Sequence, residues 1–246
     1  MNHHVFGLIG YPLTHSFSKK YFDAKFAAEN IVDANFELYS IPSINEFKNI
    51  AATKNLKGLA VTIPYKKQVI PYLNEVDDVV KILGACNCIT FNNGVLKGFN
   101  TDVLGFEKSL LQHLKPNHKK ALILGTGGAA AAVEYVLQKL NIAVEFVSRE
   151  AKDKNQLTYN ALNKTIITDR KLIINTTPLG TYPNIESFPE IPYEFLNEEH
   201  LLFDLVYNPS TTAFMQKGIN QKAAVVNGYD MLVFQAEENW KIWNNL

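Results

Sequence analysis

The sequence predicts an α/β protein made of two units, and two observations carry the prediction. Over roughly the first hundred residues, apolar runs of strand length alternate with helix-like segments, the pattern of a parallel or mixed sheet covered by helices. Further on, a glycine-rich turn joins an apolar strand directly to an alanine-rich helix, the pattern of a dinucleotide-binding unit.

The first strand is VFGLIG, from Val5 to Gly10. It is followed by Pro12 and by two serines, Ser16 and Ser18, ahead of a helix expected to begin near Lys19 or Lys20. Two readings stand side by side. One serine caps the helix, or both hydroxyls lie where a strand end delivers ligands and hold a carboxylate or phosphate. The pieces ANFELYSI and LKGLAVTI read as strands, with INEFKNIAATKN as the helix between them. The second of these strands is expected to end at Thr62, where Pro64 suits the first turn of a helical stretch running from Lys66 to Tyr72.

Next comes GACNCITFNNGVLKGFNTD, in which Asn100, Thr101 and Asp102 bunch before the amphipathic helix GFEKSLLQHL. Taken singly, Lys66 is a surface lysine and Thr101 or Asp102 a helix cap. Brought together, a lysine and a carboxylate share a proton with a hydroxyl that is becoming a carbonyl, as hydride-transfer chemistry requires.

From Lys120 the strand ALIL runs into Gly125, Gly127 and Ala130, a G-x-G-x-x-A spacing, and a helix follows at once. Glycines there let a backbone approach a pyrophosphate, which then faces the unpaired N–H groups and positive end of the helix. The next strand, IAVEFV, ends in Ser148 and Arg149, where an NAD unit carries an Asp or Glu. An arginine suits a 2′-phosphate, so the expected cofactor is NADP.

Bulk properties narrow the function classes. Basic and acidic residues both number 24, so the formal charge is zero and neither nucleic acid nor a membrane surface is an expected partner. No apolar run approaches bilayer-spanning length, and a cytoplasmic location is expected. Cys86 and Cys88 are read as buried small hydrophobes whose side chains share one face of a strand. With two thiols, and histidines in no ligand spacing, no metal is expected. His3 and His4 are assigned to a mobile start.

The motifs G-Y-P-x-x-H-S-x-S, V-T-I-P-Y-K, G-A-C-N-C-I, G-F-N-T-D, L-G-T-G-G-A, I-N-T-T-P-L-G, D-L-V-Y-N-P and N-G-Y-D-M-L-V-x-Q-A follow one another in that order. The series resembles the shikimate dehydrogenase family from end to end. The resemblance implies an N-terminal substrate domain (residues 1–101), a Rossmann-type NADP-binding domain (102–228) and a C-terminal helix (229–246) returning to the substrate domain, with a cleft between the domains. It implies reversible NADPH-dependent reduction of 3-dehydroshikimate to shikimate, a step of aromatic amino-acid (chorismate) biosynthesis, by a monomer or homodimer.

Residue by residue, the resemblance assigns Ser16 and Ser18 to the substrate carboxylate and Lys66 with Asp102 to catalysis. Thr62, Asn87 and Gln235 are assigned to the ring hydroxyls, and Tyr207 to the lining of the cleft. On the cofactor side it assigns Gly125, Gly127, Gly128 and Ala129 to the phosphates, Ser148 and Arg149 to the 2′-phosphate, Thr176 and Gly180 to the adenosine side, and Gly228 and Met231 to the nicotinamide. Whether Lys66 transfers the proton or stabilises the alkoxide stays open. The chain departs from the family pattern after Ser18, at Ala60, and in a shortened segment reading EAKDKNQ. Two rivals remain: a quinate or quinate/shikimate dehydrogenase using NAD, and a non-catalytic dinucleotide-binding regulator.

Overall fold

Alternation of apolar and polar residues along a strand gives it two different faces, and helices cover whichever face is apolar. The computed structural model describes residues 3–13, 16–151 and 156–246, so His15 of the first motif and residues 152–155 of the EAKDKNQ segment lie outside the described residues. The chain forms two compact units, Met1–Leu104 with Val233–Leu246, and Gly105–Leu232.

The first unit holds β1 (His4–Gly10), α1 (Phe17–Ala28), β2 (Ala34–Ser40), α2 (Phe47–Ala51), β3 (Leu56–Val61), α3 (Tyr65–Gln68), β4 (Glu75–Val76), α4 (Asp78–Leu83), β5 (Cys88–Asn92) and β6 (Val95–Phe99). Its sheet order is β2-β1-β3-β5-β6-β4. The sheet is mixed: β1 pairs parallel with β2 and β3, and β5 is antiparallel to both β3 and β6. Antiparallel pairing of β5 with β6 follows from the tight Asn93–Gly94 connection, both residues at positive φ, which turns the chain straight back.

Along β1, Phe6 and Leu8 bury against α1 and the C-terminal helix with Phe22, Phe26 and Trp243, whereas Ile9 joins the opposite core with Phe47, Leu59, Val61 and Tyr65. Gly58 permits this seat. A Cβ there would stand 2.3 Å from the Trp243 ring, whose Nε1 donates to the Ile89 carbonyl at 3.1 Å.

The helix α5 (Asp102–Leu111) leads into the second unit, which holds β7 (Lys120–Leu124), α6 (Gly128–Lys139), β8 (Ala143–Ser148), β9 (Gln156–Thr158), α7 (Lys164–Asp169), β10 (Leu172–Asn175), β11 (Leu201–Asp204), α8 (Ala213–Asn220) and β12 (Ala224–Val226). The last helix, α9 (Tyr229–Asn244), begins here and ends in the first unit. All pairs in this second sheet are parallel, in the order β12-β11-β10-β7-β8-β9. Its inner strands β10 and β11 are buried on both faces and read as near-continuous apolar runs, LIIN and LLFD.

Several local expectations are corrected. His4 is not part of a mobile start: it opens β1, and its N–H donates to the Asp33 carbonyl. The first helix begins at Phe17, because Ser16 is already its N-cap. The helical stretch from Lys66 to Tyr72 is a short α-helix followed by a 3₁₀ turn over Ile70–Tyr72. β3 stops at Val61, and Pro64 stands one position before the helix. Both cysteines are buried, but they do not share a face. Cys86 precedes β5 and packs with Ile9 and Ile89, whereas Cys88 packs with Phe6 and Trp243, since period-2 alternation applies only within the strand.

Candidate functional site

In the first unit the strand register brings four chain ends to one edge of the sheet. β1 and β3 run parallel and leave side by side, with the Thr62 N–H donating to the Ile9 carbonyl at 3.0 Å and Tyr11 N–H to Ile63 at 3.1 Å. β5 runs the other way, so its beginning meets the end of β3, and the Val61 N–H donates to the Asn87 carbonyl at 2.8 Å. β6 then returns and delivers Asn100, Thr101 and Asp102 beside Asn87. Ends of parallel strands are where α/β sheets collect ligands.

At that edge Lys66 Nζ lies 2.6 Å from Asp102 Oδ2. The pair is partly open, with side chains 33% and 19% accessible. Asp102 is fixed by a second partner: Asn87 Nδ2 donates to its Oδ1 at 2.9 Å and to Thr101 Oγ1 at 3.0 Å. The Asn87 amide is oriented by the Thr101 backbone, whose N–H donates to Asn87 Oδ1 at 2.7 Å. A backbone N–H only donates, so that atom must be the oxygen. Both amide hydrogens of Asn87 are thus taken inside the protein, and its second oxygen lone pair is what it can offer a ligand.

Asn239 and Gln235 of α9 complete the cluster. Thr101 Oγ1 donates to Asn239 Oδ1 at 2.7 Å, and Asn239 Nδ2 donates to Gln235 Oε1 at 3.4 Å. The structure therefore brings Lys66, Asp102, Asn87 and Gln235 into one hydrogen-bonded group. Thr62 lies beyond the end of β3, four positions before Lys66. Ser16 accepts from the Lys19 N–H at 3.2 Å as the cap of α1, and Ser18 is half-buried in its first turn, so the capping reading of Ser16 holds.

In the second unit the expected cofactor residues stand at the carboxyl ends of parallel strands. Leu124 of β7 is in register with Val147 of β8 and with Asn175 of β10, and Asn175 with Asp204 of β11. Gly125 follows at φ +105, a region that excludes most side chains, and a Cβ there would press to 2.9 Å on Thr177. Gly127 caps α6 with no side-chain hydrogen bond, and Cβ atoms added at Gly127 or Gly128 would meet nothing within 4 Å among the described residues. With Ala129 exposed as well, an uncapped helix N-terminus thus opens onto free space, which fits a phosphate-bearing cofactor.

Ser148 closes on its own loop, donating to the Glu150 carbonyl at 2.6 Å. The exposed Arg149 lines a cavity of about 390 Å³ together with Thr158, Tyr159, Leu179 and Glu190. Thr176 is held at the strand end by its hydroxyl on the Leu124 carbonyl at 2.8 Å, and Gly180 adopts φ +90. Gly228 packs on Leu205, where a Cβ would stand 2.2 Å from its carbonyl oxygen, and Met231 is half-buried in α9. Tyr207 follows β11 with about a third of its surface exposed, and partial burial raises its phenol above the ordinary range.

Beneath this edge lies a group the sequence did not single out. Asp204, fully buried, accepts from Asn175 Nδ2 at 2.9 Å, from the Val206 N–H at 3.0 Å and from Thr212 Oγ1 at 2.6 Å. Burial pushes its carboxyl up to about 6 despite these three donors, which act the other way. Polar residues closing the strands LIIN and LLFD were a visible signal. Asn239 had a weaker one, its i, i+4 spacing from Gln235 on a helix.

Residues 8–89 match the family described as "Shikimate dehydrogenase substrate binding domain". A protein of Methanosphaera stadtmanae named shikimate dehydrogenase (NADP(+)) is 33% identical, over 97% of this chain and 90% of that one. One of the same name from Halothermothrix orenii is 35% identical over 98% and 91%. The crystal structure of the Thermus thermophilus shikimate 5-dehydrogenase in complex with NADP(H) and shikimate superposes with a TM-score of 0.85, at 26% identity, over 99% of this chain and 94% of that one.

Proposed function

The chain belongs to the shikimate dehydrogenase family, and from that premise we propose that it catalyses the reversible, NADP-dependent interconversion of shikimate and 3-dehydroshikimate. The observation that carries the reading is the Lys66–Asp102 pair at 2.6 Å, partly open to solvent at the ligand-collecting edge of the first unit. A regulator that only bound nucleotide would need neither group.

In this reading Lys66 and Asp102 handle the proton at the oxygen of substrate C3. A lysine ammonium held against a carboxylate both stabilises the developing alkoxide and has a proton to give it. Thr62, Asn87 and Gln235 hold ring hydroxyls, Tyr207 lines the substrate side, and Ser16 with Ser18 takes the carboxylate through charge-assisted hydrogen bonds. Ser16 then trades its cap bond for the ligand, or accepts the cap N–H while its own hydrogen points to the carboxylate.

NADP, when bound, supplies the hydride chemistry. Gly125, Gly127, Gly128 and Ala129 would hold its phosphates, Ser148 and Arg149 its 2′-phosphate, Thr176 and Gly180 its adenosine side, and Gly228 and Met231 its nicotinamide. The first unit serves as substrate domain and the second as NADP domain. A cytoplasmic location and a monomer or homodimer complete the proposal; among the described residues no helix is long and apolar enough to cross a membrane.

The test is the rise of reduced-nicotinamide absorbance with shikimate or quinate, each with NADP and with NAD. Turnover of shikimate with NADP at least about tenfold above any other combination is expected. Faster turnover of quinate with NAD would favour the rival dehydrogenase, and NADP binding without turnover of either acid would favour the regulator.

A further inference from the structure

Four side chains connect α9 to the reacting pair, and their donors and acceptors run in one direction. The Thr101 N–H fixes Asn87 Oδ1, so Asn87 Nδ2 donates to Asp102 and to Thr101 Oγ1. Thr101 Oγ1, already an acceptor, has its own hydrogen left to place. It stands 2.7 Å from Asn239 Oδ1 and 3.2 Å from Asn87 Oδ1, and the shorter contact wins. With its oxygen taken, Asn239 turns Nδ2 to Gln235 Oε1, which directs the Gln235 amide hydrogens the other way.

Asn239 is 1% exposed and Thr101 2%, so a mismatch in this chain leaves a buried polar group without its partner. Asn239 is buried on a face of α9 that it shares with Gln235, Ala236 and Trp243, where a leucine would pack as well, so its amide is retained for its hydrogen bonds.

The geometry points to Asn239 as a positioning residue of the reaction: it sets the hydrogen-bond polarity that orients Asn87 against Asp102 on one side and the Gln235 amide toward substrate on the other. This role rests on the assignment of Lys66 and Asp102 as the reacting pair. Without Asn239 the Thr101 hydroxyl swings to Asn87 Oδ1, where it no longer accepts well from Nδ2. The Asn87 amide then loosens its hold on Asp102, and Gln235 Oε1 loses its bond from the Asn239 amide.

The experiment compares Asn239→Leu, Thr101→Val, their double variant and Thr101→Ser in the full chain. The readouts are shikimate kinetics, NADP affinity by fluorescence titration, and the Asn87 side-chain amide NMR signal, assigned by its loss in Asn87→Asp. Asn239→Leu is expected to lower kcat/KM for shikimate by about 30-fold, through both kcat and KM, while NADP affinity moves by less than about twofold. Thr101→Val should lose as much, the double variant no more than either single, and Thr101→Ser should recover most of the Thr101→Val loss.

The Asn87 amide signal should shift in Asn239→Leu. An unmoved signal, an unmoved kcat/KM, or losses that multiply in the double variant would overturn the role. If Asn239→Leu does not fold, the Thr101 pair alone decides, through the same signal and the same recovery. Failure of the functional reading is distinguishable, because it appears as an inactive parent, and the Asn87 signal then judges the network without turnover.

Discussion

Each unit places an aspartate at the carboxyl edge of its sheet, and the two are treated in opposite ways. Asp102 sits 2.6 Å from a lysine with both side chains partly accessible, while Asp204 is sealed among three neutral donors, an amide, a hydroxyl and a backbone N–H. An accessible carboxylate beside an ammonium can exchange a proton with a ligand. A sealed one instead ties chain segments together. Asp204 joins the end of β10, through Asn175, to the loop after β11, through Val206, and to the start of α8, through Thr212. Asn175 in turn accepts from the N–H and hydroxyl of Thr177, so the network reaches the loop that carries Thr176 and Gly180. Burial and partner, more than residue type, decide whether a strand-end aspartate stays open to a ligand or holds loops together.

The strongest way to break this contrast is to remove the Lys66–Asp102 pair, which is proposed to handle the proton. Lys66→Ala and Asp102→Asn should each lower kcat for shikimate by about a thousandfold, with NADP binding retained. A loss below about tenfold in either variant would mean the open pair is not the proton-handling group.

The converse substitution is Asp204→Ala, which removes the acceptor of the Thr212 hydroxyl and the Val206 N–H and the nearer acceptor of the Asn175 amide. It should cost about 3 kcal/mol in urea unfolding, against less than about 1 kcal/mol for Asp102→Asn. Equal costs would erase the distinction between the two networks.

A smaller effect sharpens it. The Asp204 carboxyl is raised from 3.8 to about 6, so between those values the folded chain holds a proton that the unfolded chain has released. Its contribution to stability is fully present below about pH 4 and is lost as pH rises through about 6, amounting to about 2 to 3 kcal/mol. Asp204→Asn should remove that component. Unfolding free energies of parent and variant, measured across this range, should converge or diverge with pH by that amount. Parallel curves would show that Asp204 does not titrate there.

Much of this was legible in the chain because it depends on neighbours in sequence. The turn at Gly125 needs a positive φ that glycine supplies, and Ser16 caps α1 three residues ahead of its partner, Lys19. Strand-end positions for Ser148, Arg149, Thr62 and Tyr207 follow from apolar runs that stop where polar residues begin. Roles for Gln235 and Tyr207, by contrast, came only from the family's motifs; a glutamine in EENW-type helix surroundings reads as exposed, yet it is buried.

What the sequence alone determined was the period of each strand and helix and the local chemistry of caps and glycine turns, because those rest on backbone sterics and hydrogen bonds spanning a few residues. Only the tertiary structure decided that β5 enters the first sheet antiparallel, that Cys86 and Cys88 part to opposite cores, and that Asn239 meets Thr101 across 138 positions. Contacts of that range are selected by how whole faces pack and by which buried polar groups then find partners, and no local pattern of residues records the outcome.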